Sequence, residues 1–220
     1  MKRTQKLSWL FAFILLFGSS TQSFSQTIKD FFSNSSTPLT YLGIDYTKNK
    51  LINDPGGNAS DIKGRLYSTM NDVVVNEMGK NYNIAGAFDR SSGINTDISA
   101  VTERNEKINS SDIMSSNTGD FSRLTESDIA GCIKGLGLKG KEGVGLVFVM
   151  EGMKKEEKKS YGAVWVTLID MKTKKVLMTE RMEQEAAGFG FRNFWVSIIK
   201  KTIVEIDKKV YKNWKNKYSS

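Results

Sequence analysis

Few groups of residues in this chain have the types and spacing for chemistry, and each lacks a part that its reaction needs. Ser197-Ile-Ile-Lys200 puts a lysine one helical turn from a serine, the spacing at which an amine can serve a hydroxyl nucleophile as base. The S-D-N and K-T-G segments that accompany such a pair in acyl-transfer enzymes are missing; Ser60-Asp61 and Lys172-Thr173 are only fragments of them. Gly135-Leu-Gly137-Leu-Lys-Gly140 satisfies G-x-G-x-x-G, but it leaves a helical stretch and enters an apolar run. A pyrophosphate site needs the reverse order, a strand feeding a helix N-terminus. Asp54, Asn58 and Asp61 offer oxygen ligands to calcium around Gly56-Gly57, without the spacing of an EF-hand. Glu151, Asp170 and Glu180 are carboxylates that could pair as glycosidase acid and base, yet they fall where strand ends and hairpin turns place acids anyway. Histidine is absent, which removes Ser-His-Asp and Cys-His catalysis and His-based zinc sites. The expectation is therefore no catalytic residue, no metal site and no cofactor.

The segment Gly188-Phe-Gly-Phe-Arg-Asn-Phe-Trp195 is the most unusual in composition. Its rings can close the core between a hairpin and the last helix. Alternatively, Phe189, Phe191 and Arg192 can form a partner-binding patch, since Phe and Arg are enriched at interface centres. Phe189 and Phe191 are two apart, which in extended chain turns both rings to one side. The core reading is preferred, and replacing both with Ser is then expected to cost several kcal/mol, since one core Phe→Ala costs about 3–5 kcal/mol.

These residues must be held by elements that the chain announces in order. Lys2, Arg3 and Lys6 precede an apolar run from Leu7 to Phe17, and Ser23 and Ser25 stand at −3 and −1 of a cut before Gln26. Residues 1–25 thus read as a signal peptide, too short for a membrane span of about 20 apolar residues. Its removal lowers the net charge from +8 to +5. With export, nucleic acid is an unexpected partner, and the remaining basic character reads as a solvated face. Cys132 is the single cysteine, so no intrachain disulfide is available.

Residues 26–38, rich in Ser, Thr and Asn, read as a flexible leader to one domain over 39–220. Tyr41–Tyr46 reads as a strand, Asp54-Pro-Gly-Gly57 as a turn, and 60–78 as an amphipathic helix with Ile62, Leu66, Met70, Val73 and Val74 inward. Tyr82–Phe88 reads as a short strand. Residues 89–122 read as an irregular polar excursion, with an edge strand through Ile98, Ala100 and Thr102. Thr125 caps a helix over 125–134 with Asp128 at N3, turning Ile129, Cys132 and Ile133 inward. Val144–Met150, nearly all apolar, reads as a strand covered on both faces, and Glu151–Lys159 as a solvated connection. Tyr161–Ile169 and Val176–Met182 form a hairpin about the turn 170–174. A last helix over about 193–215 carries the stripe Trp195, Ile199, Ile203, Ile206, Val210 and Trp214. The fold class is α+β, a two-layer sandwich with a mixed sheet of about four to five strands and three main helices.

The stretch from Gly162 to Leu177, strand, Asp-x-x-Thr, turn residue and short apolar strand, resembles the hairpin of the CsgG/LpoB/TolB N-terminal group of envelope proteins. Lys174 stands where glycine is usual in that turn, and no lipid-bearing Cys is present. The overall composition also resembles exported proteins of Bacteroidetes-type bacteria. The resemblance implies a non-catalytic scaffold that binds another envelope protein, and it carries no functional residues over. The expected function is an exported, non-enzymatic envelope module that binds a protein partner. The alternative is a small-ligand or glycan-binding periplasmic protein with Trp165, Trp195 or other rings as stacking platform, and an enzyme is third.

Overall fold

The computed structural model describes residues 24–219, so all but the last two residues of the expected signal peptide lie outside the described residues. The chain runs through α1 (Phe24–Ser33), β1 (Leu39–Asp45), β2 (Lys50–Ile52) and α2 (residues 59–76). There follow α3 (Ile84–Ala87), β3 (Asn95–Thr96), α4 (Ser99–Asn105), β4 (Met114–Ser115) and α5 (Glu126–Lys134). The chain closes with β5 (Val144–Lys155), β6 (Ser160–Asp170), β7 (Lys175–Glu185) and α6 (residues 191–218).

The sheet is built on β5. Its neighbours β6 and then β7 form an antiparallel meander on one edge. Both β1 and β2 run parallel to β5 on the other edge, β1 against Val144–Val149 and β2 against Gly152–Lys154. Two-residue strands β3 and β4 extend that edge, beside β1 and β2 respectively. Among the described residues the sheet thus has seven strands, more than the four to five expected, because pairs as short as β3 and β4 have no periodicity to read.

Alternation along β5 explains its unbroken apolar run. Leu146, Phe148 and Met150 face a core closed by α1, α2 and α6, with Phe31, Met70, Ile199 and Trp214. Val147 and Val149 face a second core with Val101 of α4 and Ile129 and Ile133 of α5. Helices therefore cover both faces, and the fold is α+β in three layers, not two. The expectation for Val144–Met150 alone already required cover on both sides.

Several local readings are corrected. Part of the supposed leader is α1, whose Ile28, Phe31 and Phe32, spaced by three and one, are buried in the main core. Cleavage before Gln26 would leave these three anchors in place. Residues 82–88 hold a helical turn capped by the Asn83 side chain, not a strand. The stretch through Ile98, Ala100 and Thr102 is α4, with Ala100, Val101 and Asn105 inward; the edge strand is instead Asn95–Thr96. Both long helices contain one wide turn, in which the N–H of Tyr67 donates to Ile62 O and that of Tyr211 to Ile206 O. This five-residue step brings Tyr211 inward in place of Val210, which is half-buried.

The outer edge of β1 is satisfied by side chains where β3 stops. Ile44 N–H donates to Asn71 Oδ1 at 2.7 Å, and Tyr46 N–H to Asn105 Oδ1 at 2.8 Å. Both amide groups also donate to Ile44 O, at 3.2 and 2.9 Å. Two buried asparagines from α2 and α4 thereby replace a missing strand and fix both helices to the sheet.

Lys174, in the β6–β7 turn, has φ +57°, with its N–H donating to Asp170 O at 2.8 Å. A left-handed conformation costs an L-residue about 1–2 kcal/mol, whereas glycine loses about 0.5–1 kcal/mol of extra chain entropy on ordering. Lys174→Gly is therefore expected to stabilise the protein by about 0.5–1 kcal/mol. A urea midpoint that stays put or falls contradicts this.

Candidate functional site

The connection from β7 to α6 is shaped by two glycines, Gly188 at φ +120° and Gly190 at φ +75°. An L-residue adopts neither readily, and together they break the extended geometry that would have put Phe189 and Phe191 on one side. Phe189 is left 94% exposed. Phe191 opens α6 half-buried, its ring edge-on to Trp195 at 6.3 Å, while Trp195 itself is buried. Arg192 is exposed, with Nε donating to Asn193 Oδ1 at 3.0 Å. The three residues lie at one end of α6, but only Phe189 and Arg192 face outward. The core reading holds for Phe191 in part and fails for Phe189, so the stability expected to be lost in the Phe189/Phe191 double change falls on Phe191.

This exposure is fixed by structure. The N–H of Ala187 donates to Ser197 Oγ at 2.9 Å, and that hydroxyl donates to Phe194 O at 2.6 Å. Ser197 is therefore a strut for the turn, and Lys200 points elsewhere, to Asn81 Oδ1 at 3.1 Å. The serine–lysine pair is not assembled as nucleophile and base.

From Ala187 and Ser197 an open groove of about 600 Å³ runs between the end of β7 and α6, past Lys201, Val204, Lys208 and Lys209. Its walls are mostly apolar, and none of its lining residues is aromatic. Phe189 and Val204 are the large apolar side chains left exposed among the described residues.

The remaining candidate groups have structural partners. Asp54 is buried and pairs with Lys155 at 2.9 Å; Asn58 caps α2 by accepting from Asp61 N–H; Asp61 binds Arg65 in a two-point pair. These three do not converge, and among the described residues no group of three or more Cys, Asp or Glu is placed to hold a metal. Gly135 to Gly140 leads out of α5 and into β5, without a helix N-terminus. Asp170 accepts from the N–H groups of Lys172 and Thr173 in its turn, and Glu180 accepts from Trp214 Nε1 at 2.5 Å.

Glu151, read from the sequence as a carboxylate at a strand end, is instead buried within β5. It is the extra residue of a bulge in β5, falls in the gap between β1 and β2, and is fully buried. One carboxylate oxygen accepts from Leu124 N–H at 2.6 Å; the other accepts from Trp165 Nε1 at 3.0 Å and Arg181 Nε at 2.7 Å. Arg181 in turn donates to Phe121 O at 2.7 Å. The charged stretch is thus no solvated connection before Glu156; β5 continues through it. No local signal marks this, since the strands read over 161–169 and 176–182 are shorter than the eleven residues that β6 and β7 each have.

Cys132 lies buried on α5, whose N-terminus Thr125 and Asp128 close as a capping box. Burial pushes its thiol pKa above the ordinary value. Less thiolate near neutral pH, together with burial, should leave it unlabelled by a thiol reagent until denaturant is added. Rapid labelling of native protein contradicts this.

No protein-family model matches the chain, and no curated protein matches it. It is similar to a solved neuraminyllactose-binding hemagglutinin homolog from Helicobacter pylori, at 10% identity and a TM-score of 0.34, covering 84% of this chain and 89% of that one. A lipoprotein, GNA1162, from Neisseria meningitidis follows at 12% identity, a TM-score of 0.29 and coverage of 77% and 96%. The LpoB C-terminal domain from Salmonella enterica is similar at 10% identity and a TM-score of 0.26, with coverage of 74% and 98%. The chain thus has, at low similarity, a structural neighbour that shares the LpoB name with the group its 162–177 hairpin resembles.

Proposed function

We propose that this protein is an exported, non-enzymatic module of the cell envelope that binds a protein partner through the turn at Phe189. The observation that carries the reading is the Phe189 ring, 94% exposed on a turn held by Gly188, Gly190 and the Ser197 strut. Burying such a ring under a partner contributes about 1.5–3 kcal/mol, and its fixed turn limits the ordering loss on binding. Export rests on the basic and apolar pattern of residues 1–25. Among the described residues no helix is long and apolar enough to cross a membrane.

Two of the rings that a glycan platform would use are Trp165 and Trp195. Both are buried, Trp165 with its Nε1 engaged by Glu151, so neither offers a face to a sugar.

A photo-crosslinking phenylalanine analogue at position 189, in the producing cells, should give a discrete adduct with an envelope protein. The same analogue at Lys158, on the exposed β5–β6 turn, is the control. Phe189→Ser should leave the thermal transition within about 2 °C of wild type, as surface changes alter stability by less than about 0.5 kcal/mol. No adduct at 189, or the same adducts from 158, rules the reading out.

A further inference from the structure

The groove beside Phe189 has a chemistry of its own. Ser197, Lys201, Val204 and Lys208 step by four, three and four, so they form one stripe of α6. Along the helix axis this stripe covers about 16 Å, the length of three helical turns or about five extended residues. The floor is apolar, supplied by Ala187, Val204 and the methylene stems of the lysines. The rim is cationic: Lys201 donates to Glu185 O, while Lys208 and Lys209 have no ion-pair or hydrogen-bond partner among the described residues. Glu205, the acid in the groove, is already engaged by the Gln184 amide. An apolar floor under unpaired ammonium groups is complementary to a chain with apolar side chains on one side and carboxylates on the other. The groove is open along its length, which suits a polymer segment better than an enclosed small molecule.

We propose that this groove seats an acidic, amphipathic segment of the protein partner, with its carboxylates on Lys208 and Lys209 and an apolar residue against Val204. This rests on the protein-partner reading above and names the class of segment that it binds. Phe189 would then close one end of the contact, since Ala187 both lines the groove and lies two residues before it.

The test uses the mature chain and two labelled synthetic peptides of equal glutamate and leucine content. In one, Glu and Leu occupy opposite helical faces; in the other the order is scrambled. The amphipathic peptide should bind at least tenfold more tightly than the scrambled one, with affinity falling as salt is raised. Lys208→Glu/Lys209→Glu should weaken it at least tenfold, and Phe189→Ser severalfold, with unchanged thermal transitions. Equal binding of the two peptides, no binding, or indifference to the lysine pair overturns the proposal. So does binding to anionic phosphatidylglycerol vesicles that the same lysine pair abolishes, which would make the occupant a lipid surface. Self-association lost with the same pair would make it a second copy and overturns it likewise. A 189 adduct that persists in the Lys208→Glu/Lys209→Glu protein would leave the partner reading standing while this one falls.

Discussion

Glu151→Met should destabilise the protein by about 3–5 kcal/mol, the usual consequence of removing one member of a buried ion pair. The change strands three donors at once: Leu124 N–H, Trp165 Nε1 and the Arg181 guanidinium. Arg181 is 22% exposed at its side chain and keeps Glu183 and Phe121 O as partners, which places the loss nearer the lower end of that range. For a chain of this size the thermal midpoint should then fall by about 6–15 °C. The double change Glu151→Met/Arg181→Met should be less destabilising than Glu151→Met alone, because no charge is left unpaired. Equilibrium urea unfolding of the wild type, both single variants and the double closes the cycle. Additive losses would mean that the two side chains act independently and that the network is incidental to the bulge.

The parts of the fold legible in the sequence are those fixed by near neighbours. The capping box at Thr125, the hairpin about 170–174 and the stripe of α6 each depend on residues within a turn or two, and each is present as read except that Tyr211 replaces Val210 in the stripe. Glu151 failed because its burial is decided by Arg181, thirty positions away, and by a bulge that interrupts the alternation it would have followed. α1 failed for a different reason: Ile28, Phe31 and Phe32 do show helical spacing, but their polar neighbours outweighed three apolar residues. The excursion at 89–122 is a series of short pieces whose partners are remote, such as β3 on β1 and β4 on β2. Of the candidate surface, its position before α6 was legible. That Phe189 and Phe191 part company was not, because the chain there is turned by two positive-φ glycines and is not extended.

Arg90 is where the unread segments meet, and its replacement should have the second large effect. It is 4% exposed and has no carboxylate partner among the described residues. Its Nε donates to Phe88 O at 2.6 Å, one terminal nitrogen donates to Asn34 O and Thr37 O at 3.1 and 3.2 Å, and the other to Tyr211 Oη at 3.0 Å. The guanidinium also lies 4.2 Å from the centre of the Phe31 ring. One side chain therefore ties the end of α1, the turn after α3 and the second half of α6. Hydrogen bonds to a charged donor contribute about 1.5–3 kcal/mol each, and acceptors left buried without a donor add to the loss. Arg90→Ala should thus cost about 3 kcal/mol or more. Arg90→Lys should recover little of it, since a single ammonium cannot reach a fork of acceptors on three elements. The same variants should speed amide hydrogen exchange in α1 ahead of β5 and β6, because α1 loses its tether while the sheet keeps its own bonds. Full rescue by lysine, or exchange that rises equally in α1 and the sheet, would show that Arg90 serves general packing and not the docking of α1.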